Sequence, residues 1–369
     1  MAKTKRPPQP TIEGAIQPLN GTSLINFNVA PTESGQQDNS FLTMLHGKAT
    51  DSIATMAGEV IEANPLNNTG TIDTGKVKLV IEAFNELSGT LGVSTHKLLS
   101  VAMASFTALN HTGTNRRENR FTEVSIPLKD YALKCGYTII PHTTDTEEES
   151  TKEAIRAENA LKNARKKINK DLAIMFSSKL TWKEKVRGKQ TDYVDVRLIE
   201  AKGIRKSYIK IKFTQTFSDY LIDLPLTQFP VALLRVDERN ANAYAMGLKM
   251  AEHYSLDNNQ IRGTSQLLKV TTLLSYTTLP TIEKVRQTKR LWTERIKEPF
   301  EKALGVLTAC GLLSDWEYSY SKGVAMTDEE ATNWVNYEDW ANSLVHFTLT
   351  NAPDHKERLE ARAEEKKIR

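Results

Sequence analysis

Residues 151–177 constrain the fold more than any other part of the chain, because two stripes run along them at helical spacing. Apolar residues recur three or four positions apart, at Ala157, Leu161, Ala164, Ile168, Leu172 and Met175. This spacing predicts one long amphipathic α-helix with one face in a core.

The opposite face of this predicted helix has hydrogen-bond donors and no acidic residue. Its positions, which we call the donor stripe, are Lys152, Arg156, Asn159, Asn163, Lys166 and Lys170. A solvated helix usually mixes Glu with Lys, since opposite charges at i,i+4 stabilise it. Lys and Arg suit phosphates and guanine, and Asn suits the adenine edge. The donor stripe therefore predicts a surface for a DNA groove, and a merely solvated face is the alternative.

Charge is distributed unevenly along the chain. Residues 151–215 contain 18 Lys or Arg against 7 Asp or Glu, and residues 261–300 contain 8 against 3. The segment 311–340 is acidic. Clustered Lys and Arg favour a polyanion as partner, because phosphate contacts need them.

A basic hairpin is predicted after the long helix. Residues 193–199 and 207–213 alternate apolar and polar side chains, which is typical of strands. The turn between them contains Lys202, Arg205 and Lys206.

The order of predicted elements is typical of a winged helix-turn-helix domain. A strand at 123–126 and a short helix at 127–133 precede the long helix and the hairpin. A generic α+β domain has the same order and is the alternative. Further upstream, the patterns predict a loop at 67–71 and helices at 76–87 and 95–109.

A similar order of elements follows in the second half of the chain. The patterns predict helix 240–255, strand 266–270, short helix 271–276, a long helix 287–310 and strands 316–320 and 344–350. Cations cluster around the start of that long helix, at Lys284, Arg286, Lys289, Arg290 and Arg295. Pro299 either kinks the helix or lies in the first turn of a separate one. Helix 240–255 is either plain core or the contact of a homodimer.

These patterns predict an α+β, mostly helical chain with two tandem winged helix-turn-helix domains and a disordered N-terminal arm. The predicted boundaries are 1–45 for the arm, 46–222 for the first domain, 223–350 for the second and 351–369 for a charged tail. The arm is polar and has no sustained period, so it lacks the apolar surface that ordering requires.

No motif for catalysis, metal or cofactor binding is visible. Residues 70–76 match most of a phosphate-binding loop, but Val77 replaces the Ser or Thr that would hold Mg²⁺, and no apolar strand precedes them. The histidines and the two cysteines form no metal spacing. Since the chain has no apolar run long enough to span a membrane and no secretion signal, we expect a cytoplasmic protein that is not attached to a membrane. Since no catalytic motif is visible, we also expect that it is not an enzyme.

The chain resembles the plasmid replication initiators that are built from two winged-helix domains and bind repeated origin sites. The resemblance covers about residues 75–350. It is carried by the basic helix 151–177 with its hairpin, by the link that contains QFPVALL and AYAMGLKM, and by LLSY, RIKEPFEKAL and WEY in the second half. The acidic loop 141–150 and the residues Glu298 and Glu301 depart from the pattern.

The resemblance implies a sequence-specific protein that binds double-stranded DNA at origin repeats and recruits host replication proteins. Two alternatives remain at this stage. A winged-helix transcriptional repressor would use the same surfaces, and a scaffolding protein of a mobile element would use its basic helices to bind proteins instead.

Overall fold

The computed structural model describes residues 41–350 and 352, with gaps at 46, 57–60, 88–91, 113–114, 117–120, 139–146, 187, 206, 225, 321–322 and 351. Residues 1–40 of the predicted arm, all of the predicted tail except Ala352, and most of the acidic loop lie outside these residues. Within them no helix is long and apolar enough to cross a membrane.

The described chain has an α+β fold. Its helices are α1 (Lys48–Met56), α2 (Phe84–Leu87), α3 (Val93–Asn110), α4 (Leu128–Lys134), α5 (Glu147–Ser177), α6 (Gln215–Ile222), α7 (Ala241–Ser255), α8 (Asp257–Ile261), α9 (Val270–Leu274), α10 (Ile282–Gln287), α11 (Glu298–Ala309), α12 (Asp328–Thr332) and α13 (Tyr337–Asn342). Its strands are β1 (Phe41–Leu45), β2 (Glu62–Asn64), β3 (Thr69–Asp73), β4 (Val77–Glu82), β5 (His111–Thr112), β6 (Asn115–Arg116), β7 (Glu123–Pro127), β8 (Ser178–Val186), β9 (Lys189–Arg197), β10 (Ile199–Arg205), β11 (Tyr208–Phe213), β12 (Leu226–Pro230), β13 (Leu267–Lys269), β14 (Leu313–Ser319) and β15 (Leu344–Leu349).

One arrangement of elements occurs twice. In the first repeat a helix (α3), a strand (β7), a short helix (α4) and a long helix (α5) lead to the strands β10 and β11. The second repeat has α7, β13, α9, α11, β14 and β15 in the corresponding places. The two sheets have equivalent strand orders, β10-β11-β7 and β14-β15-β13, so that in each the first strand pairs with the last.

The resemblance between the repeats extends to a single backbone hydrogen bond. In the first repeat the Leu128 N–H, at the start of α4, donates to the Ser207 carbonyl at 2.8 Å. In the second repeat the Val270 N–H, at the start of α9, donates to the Ser343 carbonyl at 3.0 Å. Each acceptor lies directly before the last strand, so the short helix leaves both sheets at the same place.

The helix predicted for residues 76–87 is wrong. Val77–Glu82 forms β4, in which Val77, Leu79 and Ile81 are buried and Lys78 is exposed. β-Branched residues favour this pairing, because they pack well on a pleated sheet. The chain turns at Ala83, whose φ is +53°, before the short α2. The loop predicted at 67–71 is also wrong in part, since β3 begins at Thr69.

The predicted hairpin has a different register from the observed one. The segment 189–197 forms β9 and pairs with β8, a strand that the sequence patterns did not predict. These two strands extend the sheet β2-β3-β4-β8-β9. The hairpin of the first repeat is instead β10–β11, with Arg205 opposite Tyr208 at its tip. Lys202 therefore lies within a strand and not in the turn.

The predicted long helix 287–310 is broken near its start. α10 ends at Gln287, and Lys289 then adopts a left-handed conformation with φ of +52°. A π-helical turn over Thr293–Lys297 continues directly into α11. Pro299 lies in the first turn of α11, where its missing N–H is tolerated.

A polar junction connects the two repeats. Lys97 of α3 is buried, and its ammonium group donates to the carbonyls of Leu234 and Val236 at 2.7 and 2.6 Å. His96 makes a 2.7 Å hydrogen bond with the Tyr244 hydroxyl of α7. β1 pairs with β12 beside this junction, so residues 41–45 belong to the folded body and not to the predicted arm.

Candidate nucleic-acid interface

The C-terminal half of α5 is its main anchor in the core. Ala164, Ile168, Leu172 and Met175 are buried, as the apolar stripe predicts. Ala157 and Leu161 are only half-buried, and most of the first half of the helix is exposed. The predicted apolar stripe is therefore fully buried only from Ala164 onward, while Leu161 packs at the edge of the core and the Ala157 carbonyl accepts a 3.2 Å hydrogen bond from the Thr138 hydroxyl.

The donor stripe lies on the exposed face of α5 over its whole length. The side chains of Lys152, Arg156, Asn159, Asn163, Lys166 and Lys170 are all exposed. The rise of an α-helix places Lys152 about 27 Å from Lys170 along the axis. Two further exposed cations of α5, Lys162 and Arg165, were not among the predicted site residues, and the exposed Glu158 lies one helical turn before Lys162.

Buried polar contacts fix α5 on the first repeat. Asp171 accepts hydrogen bonds from the hydroxyls of Ser94 and Thr95 of α3, at 2.8 and 2.9 Å. Burial raises the pKa of Asp171 to about 6, and the two hydroxyl donors oppose that shift. Its other carboxylate oxygen has no partner among the described residues. These contacts hold the C-terminal half of α5 rigidly under its exposed face.

A second anchor ties α5 to the junction between the repeats. The Lys167 ammonium group lies 2.5 Å from a carboxylate oxygen of Glu238. The other oxygen of Glu238 accepts a 2.6 Å hydrogen bond from the Tyr137 hydroxyl. Lys167 also lies 4.6 Å from the centre of the Tyr137 ring. Glu238 follows the segment that Lys97 holds, so α5 and the second repeat share one polar network.

The hairpin β10–β11 adds cations next to the end of α5. Lys202 and Arg205 are exposed, and Lys206 lies outside the described residues. The Lys202 ammonium group stands 5.1 Å from the centre of the Phe176 ring of α5, and burial lowers the pKa of Lys202. Lys210 and Lys212 of β11 share this region, and the sequence patterns did not single them out.

The predicted cations of the second repeat surround the break before α11. Lys284 and Arg286 lie on α10, Lys289 and Arg290 in the turn, and Arg295 in the π-helical turn, all exposed. Arg286 donates a 2.7 Å hydrogen bond to a carboxylate oxygen of Glu338 on α13. The acidic segment after β14 thus neutralises one of these cations.

α13 is a rigid support for that carboxylate. Its Trp340 is fully buried, contacts the rings of Trp292 and Phe300 and donates a 2.9 Å hydrogen bond to the Tyr318 hydroxyl. Glu338 is therefore held at a fixed place beside the start of α11.

Neither a metal site nor a phosphate-binding loop is formed by the described residues. They contain no group of three or more His, Cys, Asp or Glu side chains placed to hold a metal ion. Residues 70–76 join β3 to β4 in a hairpin, with Gly75 at φ of +72°. A phosphate-binding loop needs a helix after the glycines, and β4 stands there instead.

Comparisons with protein-family models, with curated proteins and with solved structures find no match for this chain.

Proposed function

We propose that the chain is a sequence-specific protein that binds double-stranded DNA and starts replication at repeated origin sites of a plasmid or mobile element. The observation that carries the proposal is the donor stripe, which is exposed along α5 from Lys152 to Lys170. A helix of this kind fits the major groove, which admits one α-helix.

Each repeat is, on this proposal, a winged helix-turn-helix unit. The order of helix, strand, helix, helix and two strands supports this, as does a sheet in which the first strand pairs with the last. α5 and the helix that ends in α11 are then the recognition helices, and the hairpins act as wings on the flanking DNA backbone.

Different members of the donor stripe have different roles. Arg156, Lys166 and Lys170 bind phosphates and set affinity and register. Asn159 and Asn163 are one helical turn apart, and a carboxamide can pair with both the N6 and N7 atoms of adenine. Specificity in the first repeat therefore rests on the two Asn side chains.

The protein acts without catalysis on this proposal, in the cytoplasm where its DNA is. Bending of the origin and recruitment of host replication proteins would open the duplex, as the resemblance to plasmid initiators implies. A repressor would bind in the same way but would not support replication.

A gel-shift titration of the full chain tests DNA binding. The probe is the DNA that flanks the gene, and a scrambled duplex of equal composition is the competitor. We expect log K to fall linearly with log salt concentration and the flanking DNA to bind more tightly than the scrambled duplex. Salt-independent or absent duplex binding contradicts the proposal and favours a scaffolding protein.

A replication assay then separates an initiator from a repressor. The flanking DNA is placed on a plasmid that has no other origin, and the protein is supplied in trans. Maintenance of that plasmid only with the intact protein supports an initiator. Repression of a reporter without plasmid maintenance supports a repressor.

A further inference from the structure

The outer face of the sheet β10-β11-β7 contains a shallow depression lined by cations. Residues opposite each other in an antiparallel pair share a face, and Ile209 and Ile211 of β11 point into the core. Lys210 and Lys212 therefore point outward. Their partners on β10 are Gly203 and Ala201, respectively.

The depression exists because these partners on β10 are small. Glycine has no side chain, and among the described residues no heavy atom lies within 4 Å of a Cβ built on Gly203. Arg205, Lys210 and Lys212 line the space, with Glu123 as the acidic residue of the lining. Lys202 also belongs to the lining, but it pairs with Ile211 and therefore starts from the other face of the sheet. Three cations thus face an open space of the sheet.

The cations of the depression are only weakly neutralised. Lys210 lies 3.4 Å from a carboxylate oxygen of Glu123, which is 53% exposed. Lys212 pairs with Glu200 at 2.5 Å, and both side chains are nearly half exposed. Exposed pairs of this kind contribute little and exchange readily for another anion.

We infer that this depression binds a backbone phosphate of duplex DNA. Phosphate oxygens accept charge-assisted hydrogen bonds from Lys and Arg, and the depression is open, which suits one group of a larger polyanion. The depression lies on the hairpin β10–β11, with Arg205 at the tip, and the proposed function assigns this hairpin to the flanking DNA backbone. The inference rests on the proposed function and places the contact on the sheet face and not at the hairpin turn.

Position 203 offers a matched pair of variants. Gly203→Ala adds a methyl group to open space, so the chain should fold, and this variant is the uncharged reference for the next one. Gly203→Glu puts a carboxylate into the same space and should repel the phosphate. We expect the slope of log K against log salt to fall by about 0.9 for G203E relative to G203A, equally for every duplex sequence.

A second variant covers the case in which G203E does not fold. Lys210→Gln together with Lys212→Gln should lower the same slope by up to about 1.8, if each lysine neutralises one phosphate. Lys78→Gln, on the exposed face of β4, should leave it unchanged. Cooperative melting of each variant is the check on folding.

Neutral methylphosphonate linkages identify the phosphate. Each phosphate of the duplex is replaced in turn by such a linkage. At least one replacement should weaken duplex binding by G203A and have no effect on duplex binding by G203E. Suppose that wild type binds duplex DNA, that G203E and G203A have the same salt slope, and that K210Q/K212Q has the slope of wild type. The depression then holds no phosphate, while the proposed function survives. If wild type binds no duplex, both fail. Inorganic phosphate could also raise the melting temperature of wild type and not of G203E, while G203E binds duplex DNA as G203A does. That result would assign the depression to a free anion and overturn the inference.

Discussion

At the scale of single residues, the proposed function predicts different effects for the lysines and the asparagines of the donor stripe. Lys166 and Lys170 are exposed cations on the half of α5 that the core anchors. Replacing both by Ala should weaken binding to every duplex and lower the salt slope by about 0.9 per residue. Fluorescence anisotropy at several salt concentrations measures this. Stability should change by less than about 0.5 kcal/mol, and an unchanged slope would make the stripe a solvated face.

Asn163 should behave differently from the lysines. Asn163→Ala removes a group that can pair with an adenine edge, so it should cost about 1–3 kcal/mol at the cognate site and little elsewhere. Asn169→Ala is the matched control, because Asn169 is exposed on α5 but lies about 100° around the helix from the stripe. Equal losses on cognate and scrambled duplexes would assign Asn163 to the backbone.

Asp171 should make stability depend on pH. Its pKa of about 6 in the folded chain is above the ordinary value of 3.8, because burial disfavours the charged carboxylate. The folded state therefore holds this proton more tightly, and the associated stability is present below about pH 4 and lost as the pH rises to about 6. Asp171→Asn cannot titrate. We expect its free energy of unfolding, relative to wild type, to increase from pH 4 to 6 and then level off.

Urea denaturation at a series of pH values measures this difference. Asn169→Ala, at an exposed position of α5, is the control: it removes no titratable group, so its difference from wild type should be the same at every pH. A difference between D171N and wild type that does not change with pH would mean that Asp171 titrates normally.

At the scale of elements, the proposed function predicts that Glu338 of α13 competes with DNA for Arg286. Glu338→Gln removes the charge that holds Arg286, and the support of Trp340 keeps α13 in place. We expect tighter binding to all duplexes and a salt slope steeper by about 0.9, since one more cation becomes available to a phosphate. Gel-shift titration measures both quantities.

Glu329→Gln on α12 makes the same change in net charge at an exposed position, and serves as the control. If both variants raise affinity equally, the effect is one of net charge alone. If neither does, Arg286 makes no contact with DNA.

The elements also show where sequence patterns predict the fold and where they fail. α5 was predictable because an apolar stripe of that length fits only a helical period. β4 was not, because Val77, Val80, Ile81 and Phe84 fit a helical face while Val77, Leu79 and Ile81 fit a strand. Only pairing with β3 and β8 decides between these two periods.

The missed strand and the missed break have related causes. β8 begins directly where α5 ends, at Ser178, with no Gly or Pro between them. Lys289 adopts a left-handed conformation that glycine usually signals. In both places tertiary contacts impose a change of backbone conformation for which the local sequence has no signal.

The candidate site was also predictable from the sequence only in part. Exposure of the donor stripe followed from its position opposite the apolar stripe. The outward direction of Lys210 and Lys212 depends on strand register, and the pair Arg286–Glu338 joins residues 52 positions apart. Neither feature has a local signal in the sequence.

At the scale of the whole molecule, Lys97 holds the repeats in one orientation. Its two acceptor carbonyls belong to the segment that leads into α7. Lys97→Met keeps the aliphatic volume but leaves both carbonyls without this donor, so we expect a loss of about 2–4 kcal/mol in the free energy of unfolding. Urea denaturation measures it, and Lys78→Met on the exposed face of β4 is the control. A loss below about 0.5 kcal/mol would mean that the junction does not depend on this lysine.

The two repeats are alike in topology but not in size, and they follow each other in one chain. α5 has 31 residues and α11 has 12, and the cations differ in number and place. A symmetric dimer reads a palindrome, because both halves present the same surface. Two unequal units in tandem would instead contact the two halves of their site through different surfaces, so the site would not be symmetric. Each bound molecule would then point one way along the DNA, and copies of the site would have to be arranged head to tail for neighbouring molecules to meet in the same way.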